Sequence, residues 1–158
     1  GFADGIDVDR DILKIAVIER HKNTSHIGLG YIKGYGLKEG AVATSVSHDS
    51  HNIIALGTSD EEIAAAANRV LQLDGGIVVM KDGKALAELA LPLAGIMSDD
   101  TLENVNLALE NAKDCAFELG VSAGIDPFMT LSFMSLPVIP ALRLTTHGVY
   151  DVLKGKLI

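Results

Sequence analysis

Residues 52–80 read NIIALGTSDEEIAAAANRVLQLDGGIVVM, and they place a helix-like segment between two runs of β-prone residues. Ser59 followed by Glu62 is a capping-box pattern, and acidic residues fill the first turn after it. Gly75 is suited to end the helix in the left-handed conformation. One face of the helix is apolar and consists of Ile63, Ala66, Ala67, Val70 and Leu71. This pattern predicts an amphipathic helix that lies on a sheet.

A second amphipathic helix is predicted over residues 99–120, DDTLENVNLALENAKDCAFELG. Asp100 and Glu103 lie at its start, where negative charge is favourable, and Gly120 lies at its end. Its apolar positions recur at spacings of three and four residues and are Leu102, Val105, Leu109, Ala112, Ala116 and Leu119. This helix is also expected to lay one face on a flat partner.

Six short runs rich in aliphatic residues predict strands. They are residues 13–20, 26–33, 41–46, 52–57, 76–80 and 85–91. An Asp82-Gly83 turn joins the last two runs, which predicts a hairpin. Because four strands precede the first helix and two or more separate the helices, the sequence favours an α+β fold. We expect a largely antiparallel or mixed sheet packed against two amphipathic helices.

The chain has 158 residues, a length that suits one compact domain. We expect residues 1–158 to form that domain, with residues 1–11 as a flexible N-terminal segment. In the last third, Met129 to Phe133 read as a strand, followed by an extended stretch bounded by prolines. Alternating glycines in residues 28–36, GLGYIKGYG, do not match a phosphate-binding loop, and they indicate close approach of another backbone or a bulge.

Composition argues against several partners. Thirteen basic against twenty-one acidic residues give a net charge of -8, which repels nucleic acid and anionic membrane surfaces. The longest uncharged run, residues 127–142, contains three prolines and is shorter than the ~20 residues that a membrane helix needs. Cys115 is the only cysteine, so no internal disulfide can form, and we expect a cytoplasmic location.

The polar stretch SVSHDSHN, residues 45–52, interrupts the β-prone runs and has several possible roles. His48 and His51 with Asp49 between them could bind Zn, Mn or Fe, although a metal site needs further ligands from elsewhere. A nucleophilic triad is disfavoured, because adjacent side chains diverge and no G-x-S-x-G elbow occurs. The remaining alternatives are a polar turn that satisfies its own hydrogen bonds and a loop that lines a site for a small polar ligand.

Glu19, Arg20 and His21 form a second polar cluster at the end of the first predicted strand. A charged triplet in this position is commonly a solvated strand end. If the triplet lies beside the histidine-containing loop, it would instead contribute to one shared polar cluster.

Three stretches resemble the C-terminal domain of bacterial and archaeal adenine deaminases. They are residues 14–70, residues 75–98 and residues 126–152, and the most specific motifs are SHDSHN and FMTLSF followed by LPVIP. The resemblance implies that the chain is the tail of a longer enzyme that hydrolyses adenine to hypoxanthine and ammonia. It also implies a metal-dependent amidohydrolase barrel, N-terminal to this domain, as the partner.

The resemblance carries over expectations about the site. Divalent Mn or Fe, or alternatively Zn, would be held by the barrel and not by this chain. His48, Asp49 and His51 would belong to a catalytic loop that lines the site. Adenine would be contacted by residues of both polar clusters, namely Ser47, Ser50, Asn52, Glu19, Arg20 and His21.

Two alternatives remain open at the level of sequence. One is a stand-alone module that binds a small ligand or a metal through His48, Asp49 and His51. The other is a structural domain whose apolar surface docks a partner or a second copy in a homodimer.

Overall fold

The computed structural model describes residues 5–158, and the first four residues of the segment expected to be flexible lie outside this range. Flexibility of residues 1–11 stays a prediction. The elements follow in the order β1 (Ile12–Ile18), β2 (Ile27–Lys33), β3 (Ala41–Thr44), β4 (Ile53–Gly57), α1 (Asp60–Gln72), β5 (Gly76–Lys81), β6 (Lys84–Ala90), α2 (Leu102–Glu118), α3 (Pro127–Met134), β7 (Leu142–Thr145), β8 (Gly148–Asp151) and β9 (Lys156–Leu157).

Six strands form one antiparallel sheet in the order β2-β1-β4-β3-β5-β6. The predicted strands, the β5–β6 hairpin and the α+β class are therefore confirmed. Alternate residues of each strand point to opposite faces, so the central strands are buried on both sides. Ala43 of β3, for example, packs with α1, whereas its neighbour Val42 packs in the core that contains α2 and α3.

The helix α1 begins as its sequence predicts. The Ser59 hydroxyl oxygen accepts a hydrogen bond from the Glu62 backbone N–H, and Ile63, Ala66, Ala67 and Val70 are buried. Two details of the prediction are wrong. Asp74, not Gly75, takes the left-handed position after the last turn, with φ 59°, and Leu71 is exposed because it lies at the margin of the buried face.

The helix α2 packs through Ala112 and Ala116, and its C-terminus is closed by Gly120 in a positive-φ conformation, as predicted. Leu102, which the periodicity placed on the buried face, is largely exposed in the first turn of the helix. None of the helices in residues 5–158 is long and apolar enough to cross a membrane.

The prediction of a strand from Met129 to Phe133 is wrong, because these residues belong to α3. The Asp126 carboxylate caps this helix by accepting hydrogen bonds from the Phe128 and Met129 N–H groups, and Pro127 occupies its first turn. The predicted extended stretch after it consists of turns and bends up to Ala141. A three-stranded sheet, β7-β8-β9, then follows, which the sequence analysis did not predict.

Close approach of another backbone is confirmed at Gly28 and Gly36, whereas no atom lies within 4 Å of a Cβ placed on Gly34. A Cβ atom on Gly28 of β2 would overlap the carbonyl group of Thr145 at the end of β7, and one on Gly30 would touch the Leu144 side chain. These glycines let the small sheet lie directly on the edge of the large one. Consequently the β7–β8 turn is located at the same end of the large sheet as the loop of residues 45–52.

Candidate functional site

Antiparallel pairing of β1 with β4 brings the two predicted polar clusters together. Ile18 at the end of β1 pairs with Ile53 at the start of β4. Residues 19–21 therefore leave the sheet beside residues 50–52. We call this end of the large sheet the histidine end, and we call residues 45–52 the histidine loop.

Arg20 connects the histidine loop to a third segment. Its Nε donates a hydrogen bond to the His51 carbonyl oxygen at 2.6 Å, and its Nη2 donates to the Ala94 carbonyl oxygen at 2.6 Å. Burial lowers the pKa of this guanidinium, but only from a value far above neutrality, so Arg20 stays charged. His21 adds a third tie, because its Nε2 donates to the Ser50 carbonyl oxygen at 2.7 Å.

Glu19 folds back on its own chain. Its carboxylate accepts hydrogen bonds from the backbone N–H groups of His21, Lys22 and Thr24, and from the Thr24 hydroxyl. Desolvation acts to raise the pKa of Glu19, but the hydrogen bonds outweigh it and lower the pKa to about 2. The ionised carboxylate thus fixes the turn that follows β1.

The helix α3 holds the histidine loop from the other side. The His48 N–H donates to the Ser132 carbonyl oxygen at 3.1 Å, and the Ser135 hydroxyl donates to the His48 carbonyl oxygen at 3.2 Å. The hydroxyl oxygens of Ser47 and Ser135 lie 2.6 Å apart and share a hydrogen bond. The imidazole of His48 stacks on Phe133 with ring centroids 5.3 Å apart.

The two loop imidazoles are neighbours, with ring centroids 5.7 Å apart. Burial, together with the nearby His48 and Arg20, lowers the pKa of His51, and the Asp49 carboxylate offsets this only in part. His51 is therefore neutral at neutral pH. A neutral imidazole offers one donor and one acceptor nitrogen, which is the form that can accept a proton.

Unpaired polar atoms concentrate at this end. Within residues 5–158, five buried side-chain polar atoms have no hydrogen-bond partner, and they are His51 Nδ1, Asn52 Oδ1, Glu62 Oε2, Ser132 Oγ and Arg143 Nε. Three of the five belong to the histidine loop or to α3 beside it. Buried polar groups are normally paired, so these three atoms are polar groups of the histidine end that have no partner within the described part of the domain.

A cavity of about 260 Å³ lies beside the loop. Asp49, Ser50 and Asn52 line it on one side, and the segment 135–138 together with Thr145 and Thr146 lines it on the other. A larger hollow of about 750 Å³ lies between α1 and β6, but its main charged groups, Arg69 and Glu88, already form a two-fold hydrogen-bonded ion pair. Of these two cavities, the smaller one lies next to side chains that can take part in a reaction, those of Asp49, Ser50 and Asn52.

The side chains of residues 5–158 do not form a metal centre. In the described part of the chain, no group of three or more His, Cys, Asp or Glu side chains is arranged to hold a metal ion. His48 Nδ1 and Asp49 Oδ1 lie 3.8 Å apart, and the nearby His21 directs Nε2 at a carbonyl oxygen.

Two histidines that the sequence analysis left out of the site also lie at this end. His26 precedes β2 and His147 lies in the β7–β8 turn, and their ring centroids are 4.8 Å apart. All five histidines of the chain therefore gather at the histidine end. Their residue type was a visible signal, but the placement of His147 depends on a hairpin that was not predicted.

Comparison with known proteins gives a consistent result. The family model described as the adenine deaminase C-terminal domain matches residues 3–156. An adenine deaminase of Bacillus licheniformis is 51% identical over 146 residues, which are 92% of this chain and 26% of that protein. That of Bacillus subtilis strain 168 is 51% identical over 92% of this chain and 25% of its own length, and that of Brucella abortus strain 2308 is 50% identical over 96% and 26%.

The chain thus spans about a quarter of the length of the curated relatives that it matches. The match covers both polar clusters, the whole sheet and all three helices. On this basis, the chain belongs to the adenine deaminase C-terminal domain family.

Proposed function

We propose that residues 1–158 act as one accessory domain of an adenine deaminase, and that the histidine loop helps to line or close the active site of that enzyme. The reaction is the hydrolysis of adenine to hypoxanthine and ammonia. Relatives that are 51% identical to this chain over the matched segment carry the name adenine deaminase, which supports the activity. The observation that carries the role of the loop is the cluster of unpaired polar atoms beside two neighbouring imidazoles.

A division of labour follows from the side chains present. Divalent metal, expected as Mn or Fe or alternatively as Zn, would be held by the barrel that forms another part of the longer polypeptide. Such a metal would supply an activated water for the hydrolysis. The present residues do not hold that metal and contribute in other ways.

Hydrolytic deamination consumes one water, breaks the bond from the purine ring to the amino group and requires a proton on the departing ammonia. His51 is neutral and can hold such a proton on Nδ1, which is unpaired. Asn52 and Ser50 offer amide and hydroxyl groups of the kind that hydrogen-bond purine nitrogens. The buried sheet beneath keeps the loop rigid, so these groups are positioned without further ordering.

The experiment is substitution of the loop histidines in the intact enzyme. We expect His48→Ala and His51→Ala to lower kcat for adenine by about a hundredfold, the scale of a lost proton-transfer group. The thermal midpoint of the enzyme should change little, because the loop is fixed by main-chain hydrogen bonds that alanine retains. Steady-state kinetics and thermal unfolding of the same preparations measure both quantities.

His147→Ala is the matched control, because His147 lies at the same end but is exposed and outside the loop. It should retain nearly full kcat. If the loop variants lose activity only in proportion to their loss of folded protein, the loop is structural and the proposal fails.

Two further properties of the longer protein are predicted from the sequence, its location and its oligomeric state. A cytoplasmic location rests on the single cysteine. A homodimer is compatible with the exposed apolar edge of β2, where Ile27, Leu29 and Tyr31 project into solvent.

A further inference from the structure

Exposed apolar side chains surround the histidine end. We call them the apolar rim, and they are Leu93, Ile96, Met97, Phe133 and Val138. They come from two segments that are distant in sequence, the connection between β6 and α2 and the region at the end of α3. Because the rim residues come from separate segments, it is the tertiary structure that brings them together, and not one irregular loop.

Hydrogen bonds and packing contacts place both of these segments beside the histidine loop. The connection between β6 and α2 is held by Arg20, which donates to the Ala94 carbonyl oxygen, and by Ser45, whose hydroxyl donates to the Gly95 carbonyl oxygen at 2.6 Å. Phe133 stacks on His48, and Val138 lines the cavity that Asp49 and Ser50 also line. The rim therefore borders the polar groups directly.

The rim is also ordered by its own hydrogen bonds. Leu93 and Met97 form a β-bridge. The Leu93 N–H donates to the Met97 carbonyl oxygen at 3.1 Å, and the Met97 N–H donates to the Leu93 carbonyl oxygen at 3.1 Å. The two side chains are consequently held next to each other in solvent. A pre-formed apolar border around a polar centre is the arrangement expected of a surface that another protein surface covers.

We propose that the apolar rim docks the barrel-bearing part of the same longer polypeptide. This inference rests on the proposed function. About three quarters of each relative lies outside the segment that this chain matches, so in those relatives a large further surface is covalently linked to the matching segment. The rim is continuous with the histidine loop, and only a partner that carries the reacting centre makes use of both.

A second copy of the chain is a poorer occupant of this surface. A two-fold symmetric contact through the rim would place one histidine loop against the other. Both cavities would then face a copy of themselves instead of a catalytic centre. The edge of β2 offers a separate apolar surface for such self-association.

Two methionines of equal chemistry and equal exposure test the docking surface in the intact enzyme. Met97 on the rim is 55% exposed in this domain, and Met129 in the first turn of α3 is 53% exposed. Oxidation of a methionine by hydrogen peroxide depends on its accessibility, so a docked rim should make Met97 react roughly tenfold more slowly than Met129. Mass spectrometry of the two peptides during a peroxide time course gives both rates.

Equal rates for the two methionines, faster oxidation of Met97, or equal protection of both would overturn the proposal. Light scattering at the working concentration reports the oligomeric state. Protection of Met97 that disappears when a dimer dissociates on dilution would assign the surface to a second copy and would also overturn it.

A pair of leucines tests the energetic role of the rim. Leu93 is 47% exposed, and Leu86, near the opposite end of the domain on β6, is 45% exposed. Leu93→Ser should lower the thermal midpoint of the intact enzyme, because it removes apolar contact area from the docked surface. Leu86→Ser, at a position of similar exposure, should leave the midpoint unchanged. Equal effects of the two variants would contradict docking through the rim.

Failure of this inference can be separated from failure of the proposed function. If Met97 is protected while the His48 and His51 variants keep full activity, the domain docks through the rim but the loop takes no part in the reaction. If those variants are folded and inactive while Met97 reacts like Met129, the loop functions and the docking surface lies elsewhere.

Discussion

At the histidine end, carbonyl groups of the loop take part in holding it in place, whereas two of its buried side-chain atoms have no partner in the domain. The carbonyl groups of His48, Ser50 and His51 accept the hydrogen bonds that fix the loop, while His51 Nδ1 and Asn52 Oδ1 stay unpaired. Both polar clusters could be identified from the sequence. Their proximity in space could not be predicted, because it depends on the pairing of β1 with β4, a contact between residues far apart in the chain.

Glu19 provides a prediction at the scale of one residue. Its carboxyl titrates near 4.5 when unfolded and near 2 when folded, so the native state binds fewer protons between these values. The stabilisation is therefore present above about pH 4.5 and is lost as the pH falls toward about 2. Urea unfolding of the 158-residue chain should be measured at about pH 5.5 and about pH 3. Between these two pH values the unfolding free energy should fall more for the wild type than for Glu19→Gln.

In that comparison, Glu19→Gln keeps the shape of the side chain and removes the titration. Parallel losses of unfolding free energy in the two proteins would show that the folded carboxyl is not held in its ionised form by the turn. The hydrogen bonds from His21, Lys22 and Thr24 would then have no net preference for the charged state.

Among the elements, those with two agreeing local signals were predicted correctly and those with conflicting signals were not. In α1, the Ser59 cap and the apolar periodicity agree. In α3, the β-prone run from Met129 to Phe133 conflicts with the Asp126-Pro127 start, and the cap determines the outcome together with burial of Phe128 and Leu131. The strands β7 to β9 are short and gain their stability by packing on β2, which local sequence does not reveal.

Gly28 provides a prediction at the scale of elements. Gly28→Ala would force Cβ into the Thr145 carbonyl group, so the small sheet must move away from β2. We expect a loss of about 1–3 kcal/mol in unfolding free energy, the usual cost of overpacking. Equilibrium urea unfolding of the 158-residue chain measures this change.

Gly124→Ala is the matched control for Gly28→Ala. No atom lies within 4 Å of a Cβ placed there, and its backbone is not in the left-handed region. Its stability should be unchanged or slightly higher, because alanine restricts the unfolded chain. Equal stability of the Gly28 and Gly124 variants would mean that the small sheet does not rest on the backbone of β2.

Across the whole molecule, a sheet covered on both faces supports one chemically distinct end. The helix α1 covers one face, and α2, α3 and the small sheet cover the other. All five histidines, three of the five unpaired buried polar atoms and the apolar rim gather at the end of the sheet where β1 ends and β4 begins. The α+β class and the sheet could be predicted from patterning, whereas this gathering is a consequence of topology.

The central claim is that this domain supplies positioned side chains to a reaction whose metal is held by another part of the polypeptide. The most direct measurement is ammonia release from adenine by the purified 158-residue chain, with added Mn, Fe or Zn, beside the full-length enzyme at equal concentration. Circular dichroism of the same sample establishes that the chain is folded. We predict turnover by the full-length enzyme and none by the folded chain alone. Release of ammonia by the chain alone would contradict the account.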